Sequence, residues 1–217
     1  MKKILIPVNP LKQQNSNACS ITCARMIFAY YGLNVTYEEI FKFIIKATPD
    51  GGSFLSEIGR FAKHKGFDVD LYAFNLYLTD PKDDCLPVNK LLDKLEKQLE
   101  DSRRDKYYDL MLESTIKGIK EGVNYTIKKP DFKIIKTYLN NKIPLSVRLN
   151  YAALIGKQGD PFDTHDVVLS GLNGNRVYLV DPKDAGVRLF DAQDLMFAIF
   201  QSKIISASAY LLAVKPK

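Results

Sequence analysis

Histidine is the scarcest chemically useful residue in this 217-residue chain: there are two, His64 and His165. A reaction that needs an imidazole therefore has almost no choice of base. Cysteine is nearly as scarce. Three thiols are an odd count for a chain of this size and do not suggest a disulfide framework. No stretch approaches the ~20 apolar residues of a membrane span. The basic start Met1-Lys2-Lys3 leads into an apolar run broken by Pro7 and Pro10, with no small-residue cleavage site after it. That run reads as a short first strand rather than a signal peptide, and the expected location is cytoplasmic. Runs of like charge and basic-aromatic repeats are also missing. The formal net charge of +6 comes from scattered lysines, which serve solubility better than nucleic-acid binding. There is no glycine-rich phosphate loop, internal repeat or low-complexity tract. With 46% hydrophobic and 26% charged residues, the composition is that of an ordinary globular protein able to bury a substantial core.

What is present begins with Gln13-Gln14-Asn15-Ser16-Asn17-Ala18-Cys19, a polar, turn-prone run that ends where an apolar helical pattern starts. Ala18, Ile21, Met26, Ala29 and Tyr30 fall on one side of a helix that stops near Gly32. Cys19 thus lies in the first turn, where unpaired backbone N–H groups and the helix dipole favour a thiolate. Gln13, on the preceding loop, has a side-chain amide able to donate to an oxyanion beside the sulfur. Taken alone, Cys19 reads first as a buried cysteine opening a core helix, and the rest of the chain has to move that reading.

Further along, Thr36 caps a second helix whose stripe is Ile40, Phe41, Ile44 and Ile45. Asp50-Gly51-Gly52-Ser53 is a flexible turn into a third helix, Leu55 to about His64, ended by Gly66. Phe67 to Phe74 alternates as a strand. From about 80 to 122 the texture changes to dense, sign-balanced charge. Val88, Leu91, Leu92, Leu95 and Leu99, then Tyr108, Met111, Leu112, Thr115, Ile116 and Ile119, mark a pair of amphipathic helices: a helical insertion, either structural or a lid. Phe132 to Leu139 is a short helix and Ile143 to Leu149 a strand. Asp166 to Leu172 and Val177 to Val180 form a hairpin around Asn173-Gly174-Asn175. A helix from Asp191 to about Phe200 and a strand from Ser206 to Val214 follow. Helices first and an antiparallel sheet after them give an α+β fold, taken as one domain over 1–217 with the insertion at about 80–122.

The hairpin carries the second half of the chemistry. His165 precedes its first strand and Asp181 closes its second, so the ladder folds the two back together. Asp181 can then hold the imidazole while His165 takes a proton from Cys19. Asp163 and Asp166 flank His165 as alternative orienting groups, although strand alternation should turn Asp166 away. Cys23 with Cys19 and His165 makes a poor zinc set, lacking a Cys-x2-Cys pair or a second usable histidine. Cys23 reads as core, Cys85 as a loop thiol, and His64 as a helix C-terminal residue. No metal or cofactor is implied.

Gln13-x5-Cys19-x3-Cys23, the helix ending Tyr30-Tyr31-Gly32, and His165-x15-Asp181-Pro182 together resemble the C39-like branch of papain-like cysteine peptidases. The order Cys…His…Asp agrees, and Gly51-Gly52-Ser53 and Ile143-Pro144-Leu145 resemble the family's usual loop and strand. The resemblance implies a papain-like fold with Cys19 as nucleophile, His165 as general base and acid, Asp181 as orienting group and Gln13 as oxyanion donor. It implies a cysteine-dependent hydrolase, a peptidase by default, acting on a peptide or other amide-containing substrate. Ser20 stands where the family usually carries glycine, and the 80–122 insertion has no counterpart in the resemblance. Two alternatives follow: a non-catalytic peptide-binding module of the same fold, and an acyltransferase using the same acyl-enzyme. The sequence leaves the oligomeric state open.

Overall fold

The computed structural model describes residues 3–47, 52–100, 105–160, 164–202 and 207–217. Helix α1 spans Cys19–Tyr30 and stops where Gly32 takes a positive φ. Helix α2, Tyr37–Phe43, starts where the Thr36 hydroxyl accepts the Glu39 N–H. It is shorter than its apolar stripe: Ile44 is already extended, so Ile44 and Ile45 continue the burial from outside the helix. Helix α3 covers Leu55–His64, with Gly66 in the left-handed turn beyond it.

The eight strands found among the described residues are β1 Ile4–Leu5, β2 Asp68–Ala73, β3 Asn124–Ile127, β4 Leu145–Asn150, β5 Thr164–Asn173, β6 Arg176–Asp181, β7 Gly186–Asp191 and β8 Leu211–Lys215. They form one sheet in the order β3-β2-β8-β4-β5-β6-β7, with β1 added to β5. Pairing is antiparallel except between β2 and β3. The sequence pattern does not single out β3 or β7, and the final strand starts at Leu211, later than its expected start. Ser206 lies outside the described residues. Strand β5 starts at Thr164, so His165 sits within the ladder rather than just before it. A bulge between Leu169 and Gly171 lets β1 lie against β5, and a Cβ at Gly171 would collide with the Ile4 carbonyl.

Helix α1 packs on β5 and β4, and α3 on β2 and β8, around the main core. The 80–122 region forms a short 3₁₀ turn, Pro81–Cys85, then α4 Val88–Leu99 and α5 Lys106–Lys120. Leu91, Leu95, Met111, Leu112, Ile116 and Ile119 build a second apolar cluster that also takes in Phe54, Leu78 and Ile127. Val88, expected in that stripe, is instead 62% exposed. The pair is joined to the body by a Ser56–Ser114 hydroxyl contact between α3 and α5 and by Arg60, which binds Glu57 and Glu121. Helices α6 (Phe132–Asn140), α7 (Tyr151–Leu154) and α8 (Ala192–Gln201) complete the fold, with α7 and α8 packed on each other.

Strand β2 departs from simple alternation at Asp70, which is only 7% exposed. Its carboxylate accepts from the Tyr138 hydroxyl, the Asn124 amide and the Lys215 ammonium. Together they satisfy a charge that burial would otherwise penalise.

Candidate active site

Cys19 is the first residue of α1 and is 9% exposed. Its sulfur lies where the helix tip meets the start of β5. No side chain caps this helix and no acidic residue of its own occupies its first turn, so the sulfur sits at the positive end of the helix dipole.

His165 Nε2 and Asp181 Oδ1 are 2.7 Å apart. The β5–β6 pairing makes this possible: Val168 faces Val180 and Leu169 faces Leu179, which sets both side chains at the same end of the ladder. The Lys183 backbone N–H donates to the same Asp181 oxygen at 2.9 Å, an Asx turn that also accommodates Pro182. With Nε2 committed to Asp181, Nδ1 is the nitrogen left for Cys19. Burial works against charging the imidazole, but Asp181 and Cys19 outweigh it and push His165 up to about 10. Burial likewise opposes the Asp181 charge, and His165 with the Lys183 N–H still holds the carboxyl below its usual range. The ring of Tyr151 meets the imidazole edge to face at 5.7 Å, and Arg188 approaches Asp181 Oδ2 at 3.5 Å. That oxygen is buried and has no hydrogen-bond partner.

The Gln13 backbone N–H donates to the Pro182 carbonyl at 2.7 Å, which brings the loop to the hairpin. Its side-chain Nε2 donates to Asn15 O at 2.7 Å, while Oε1 is buried and unpartnered. Gln13 and His165 line one cavity of ≈ 180 Å³, with Ser16, Tyr151 and Lys183. On the other side of Ser16, a second cavity of ≈ 240 Å³ contains Cys19, Ser20, Ser53, Tyr107, Arg148 and Thr164.

The floor beneath Cys19 holds a group of charges. Asp166 turns away from His165, as strand alternation requires, and faces Arg148, its direct partner in the β4–β5 register. The guanidinium binds the carboxylate through Nε at 2.9 Å and Nη2 at 2.7 Å, and Nη2 also donates to Ser53 O at 2.9 Å. The Ser20 hydroxyl donates to Asp166 Oδ2 at 2.6 Å, and the Cys19 sulfur is 3.8 Å from the same oxygen. Ser20 is 1% exposed, its hydroxyl turned down into this cluster. Sequence reasoning missed the Arg148–Asp166 pair. The available signal was an arginine inside the apolar run Leu145-Ser146-Val147-Arg148-Leu149, because a charge in a buried strand demands a partner.

Cys23, one turn after Cys19, is fully buried and donates to the Asp166 carbonyl at 3.3 Å, while Cys85 is exposed. His64 lies against Phe43 and Phe61. Asp163 lies outside the described residues. Among the described residues no three His, Cys, Asp or Glu side chains gather as metal ligands, and no helix is long and apolar enough to cross a membrane.

A helix-borne thiol beside a strand-borne imidazole and carboxylate, on an α+β frame, defines the papain-like class. Within it the chain belongs to the Peptidase C39 like family, whose model matches residues 5–195. No curated protein matches the sequence significantly. Two solved structures share the fold with a TM-score of 0.50. One is a double glycine motif protease from an AMS/PCAT transporter in complex with the leader peptide, 15% identical over 100% of this chain and 99% of that one. The other is a C39-like peptidase from Bacillus anthracis, 13% identical over the same shares.

Proposed function

We propose that this chain is a cysteine peptidase in which Cys19 attacks a peptide carbonyl, His165 carries the proton and Asp181 orients the imidazole. The 2.7 Å His165–Asp181 contact beside a thiol at a helix N-terminus is the observation that carries this reading. The sulfur bonds to the carbonyl carbon and the oxygen takes the electron pair. The second N–H of the Gln13 amide, beyond the one held by Asn15, and the Cys19 backbone N–H receive that oxyanion. Collapse breaks the C–N bond as His165 protonates the leaving amine. Water, deprotonated by His165, then hydrolyses the thioester. Acyl transfer to another nucleophile uses the same intermediate.

The fold relative bound to a leader peptide supports a peptide substrate. Ser20, bonded to Asp166, leaves the sulfur unobstructed, which supports turnover over a module that only binds. We read 1–217 as one domain with 80–122 as its insertion, supported by Phe54 packing into the insertion's cluster from the body. Three unpaired thiols support a cytoplasmic setting.

The test is iodoacetamide labelling at neutral pH, mapped by peptide, in wild type and His165→Ala. Cys19 should label faster than the exposed Cys85 and lose that advantage in His165→Ala. Cys19→Ala should abolish peptide cleavage and Cys23→Ala should not. Equal cleavage by Cys19→Ala and wild type ends the reading.

A further inference from the structure

If His165 protonates the leaving amine, the amine half of the substrate lies on the imidazole side. The acyl half then extends past Cys19 into the cavity of Ser53, Tyr107, Arg148, Ser20 and Thr164. At ≈ 240 Å³ this cavity is smaller than the roughly 300–1,000 Å³ of small-molecule sites, a space for a single side chain. Among the described residues its one cation is Arg148, already paired with Asp166 and fixed by Ser53 O, so these residues offer no net attraction to an acidic or a basic side chain.

Hydrogen-bonding capacity remains. Ser53 is 5% exposed, and its Oγ has no hydrogen-bond partner. A buried hydroxyl left unpaired carries a desolvation cost, which a bonding ligand group recovers. Opposite it stands Tyr107, the second residue of α5, its ring 5.3 Å from that of Phe54 in an edge contact. Phe54 is fully buried in the insertion's own cluster and directly follows Ser53. The insertion and the cleft edge are thereby one packed unit.

We propose that this cavity is the acyl-side specificity pocket. It takes one uncharged, hydrogen-bonding side chain of the size of threonine or asparagine. Ser53 bonds that side chain and Tyr107 limits its bulk. The inference rests on the reading of Cys19 and His165 given above, and it assigns the 80–122 insertion a part in substrate choice.

The experiment uses peptides paired by shape, Thr against Val and Asn against Leu, at each of the two residues preceding the cleaved bond. Wild type should favour the polar member about three- to tenfold in kcat/KM, the worth of one hydrogen bond. In Ser53→Ala the ratio should fall to about one. Tyr107→Ala should gain at least about tenfold on peptides carrying phenylalanine there, and Tyr107→Phe should not. A wild-type ratio near one, or one that Ser53→Ala leaves unchanged, overturns the pocket, as does an unchanged phenylalanine rate in Tyr107→Ala. If no peptide is cleaved, the catalytic reading fails separately. The same pairs are then scored by calorimetric binding to Cys19→Ala, where equal affinity, or no binding by either member, overturns the pocket.

Discussion

His165 and Asp166 are consecutive residues of β5, and they head two charge pairs of opposite character. Asp166 faces Arg148 in the closed floor beneath α1, where both are under a tenth exposed and the ion pair is completed by Ser20 and Ser53. His165 faces Asp181 at the wall of the cleft, where the imidazole touches a cavity and one carboxylate oxygen has no hydrogen bond. Arginine does not give up its proton in a protein, so Arg148 keeps its charge at every working pH. Histidine does, so the wall pair can switch. The difference shows how one strand provides both a foundation and a movable proton: alternation separates the two side chains, and the identity of the partner decides which pair can titrate.

The floor pair should give the largest effect on stability. Asp166→Ala leaves the Arg148 charge buried and unpaired, and should cost about 3–5 kcal/mol in urea-induced unfolding. If it slowed labelling of Cys19 without moving the unfolding midpoint, the two pairs would not differ in kind. Asp181→Asn should cost less, about 1.5–3 kcal/mol, the worth of a hydrogen bond to a charged group. Its main effect should be to draw the pH limit of Cys19 labelling down, as His165 returns toward its ordinary value near ~6.5. An unchanged pH profile would detach the carboxylate from the imidazole.

The pH dependence of wild type sharpens the contrast. The raised His165 contributes stability that is fully present below ~6.5 and is lost as pH rises toward about 10. The lowered Asp181 contributes stability present above ~3.9 and lost as pH falls through its depressed value. Urea midpoints measured from pH 4 to 11 should therefore show a plateau attributable to the wall pair that His165→Ala removes. Ser20→Ala should be the mildest change, about 1 kcal/mol in stability with Cys19 labelling kept, since the hydroxyl serves Asp166 rather than the sulfur.

Local signals read well from the sequence. The Thr36 cap, the Gly66 stop, the amphipathic stripes of α4 (Val88 apart) and α5 and the turn between β5 and β6 are each decided within a few residues, and each is found in the structure. What escaped depends on distant partners. Asn124–Ile127 is a strand because β2 lies beside it, and four residues after a charged helix carry no pattern that says so. β7 is half exposed along its length, so its alternation is faint. Helix α7 is one turn long and is held by the Asn150 side chain accepting the Ala153 N–H. The meeting of His165 with Asp181 was legible because a hairpin folds its ends together. Arg148 with Asp166 was not, because their meeting is set by the register between β4 and β5. Tyr107 at the cleft was equally hidden, since only the seating of the insertion on Phe54 brings it there.

The segment from Ile6 to Gln13 is clipped to the hairpin at both ends, by Ile6 N–H to Ser170 O and by Gln13 N–H to Pro182 O, each at 2.7 Å. Gln13 is therefore hydrogen-bonded to the same hairpin that carries His165 and Asp181, although both lie far along the chain from it. Only Cys19 arrives on a separate element. The candidate centre thus has a single joint, between helix and hairpin, and the Ser20–Asp166 bond crosses that joint one residue from the sulfur. Alignment of four side chains reduces to the seating of one helix on one strand.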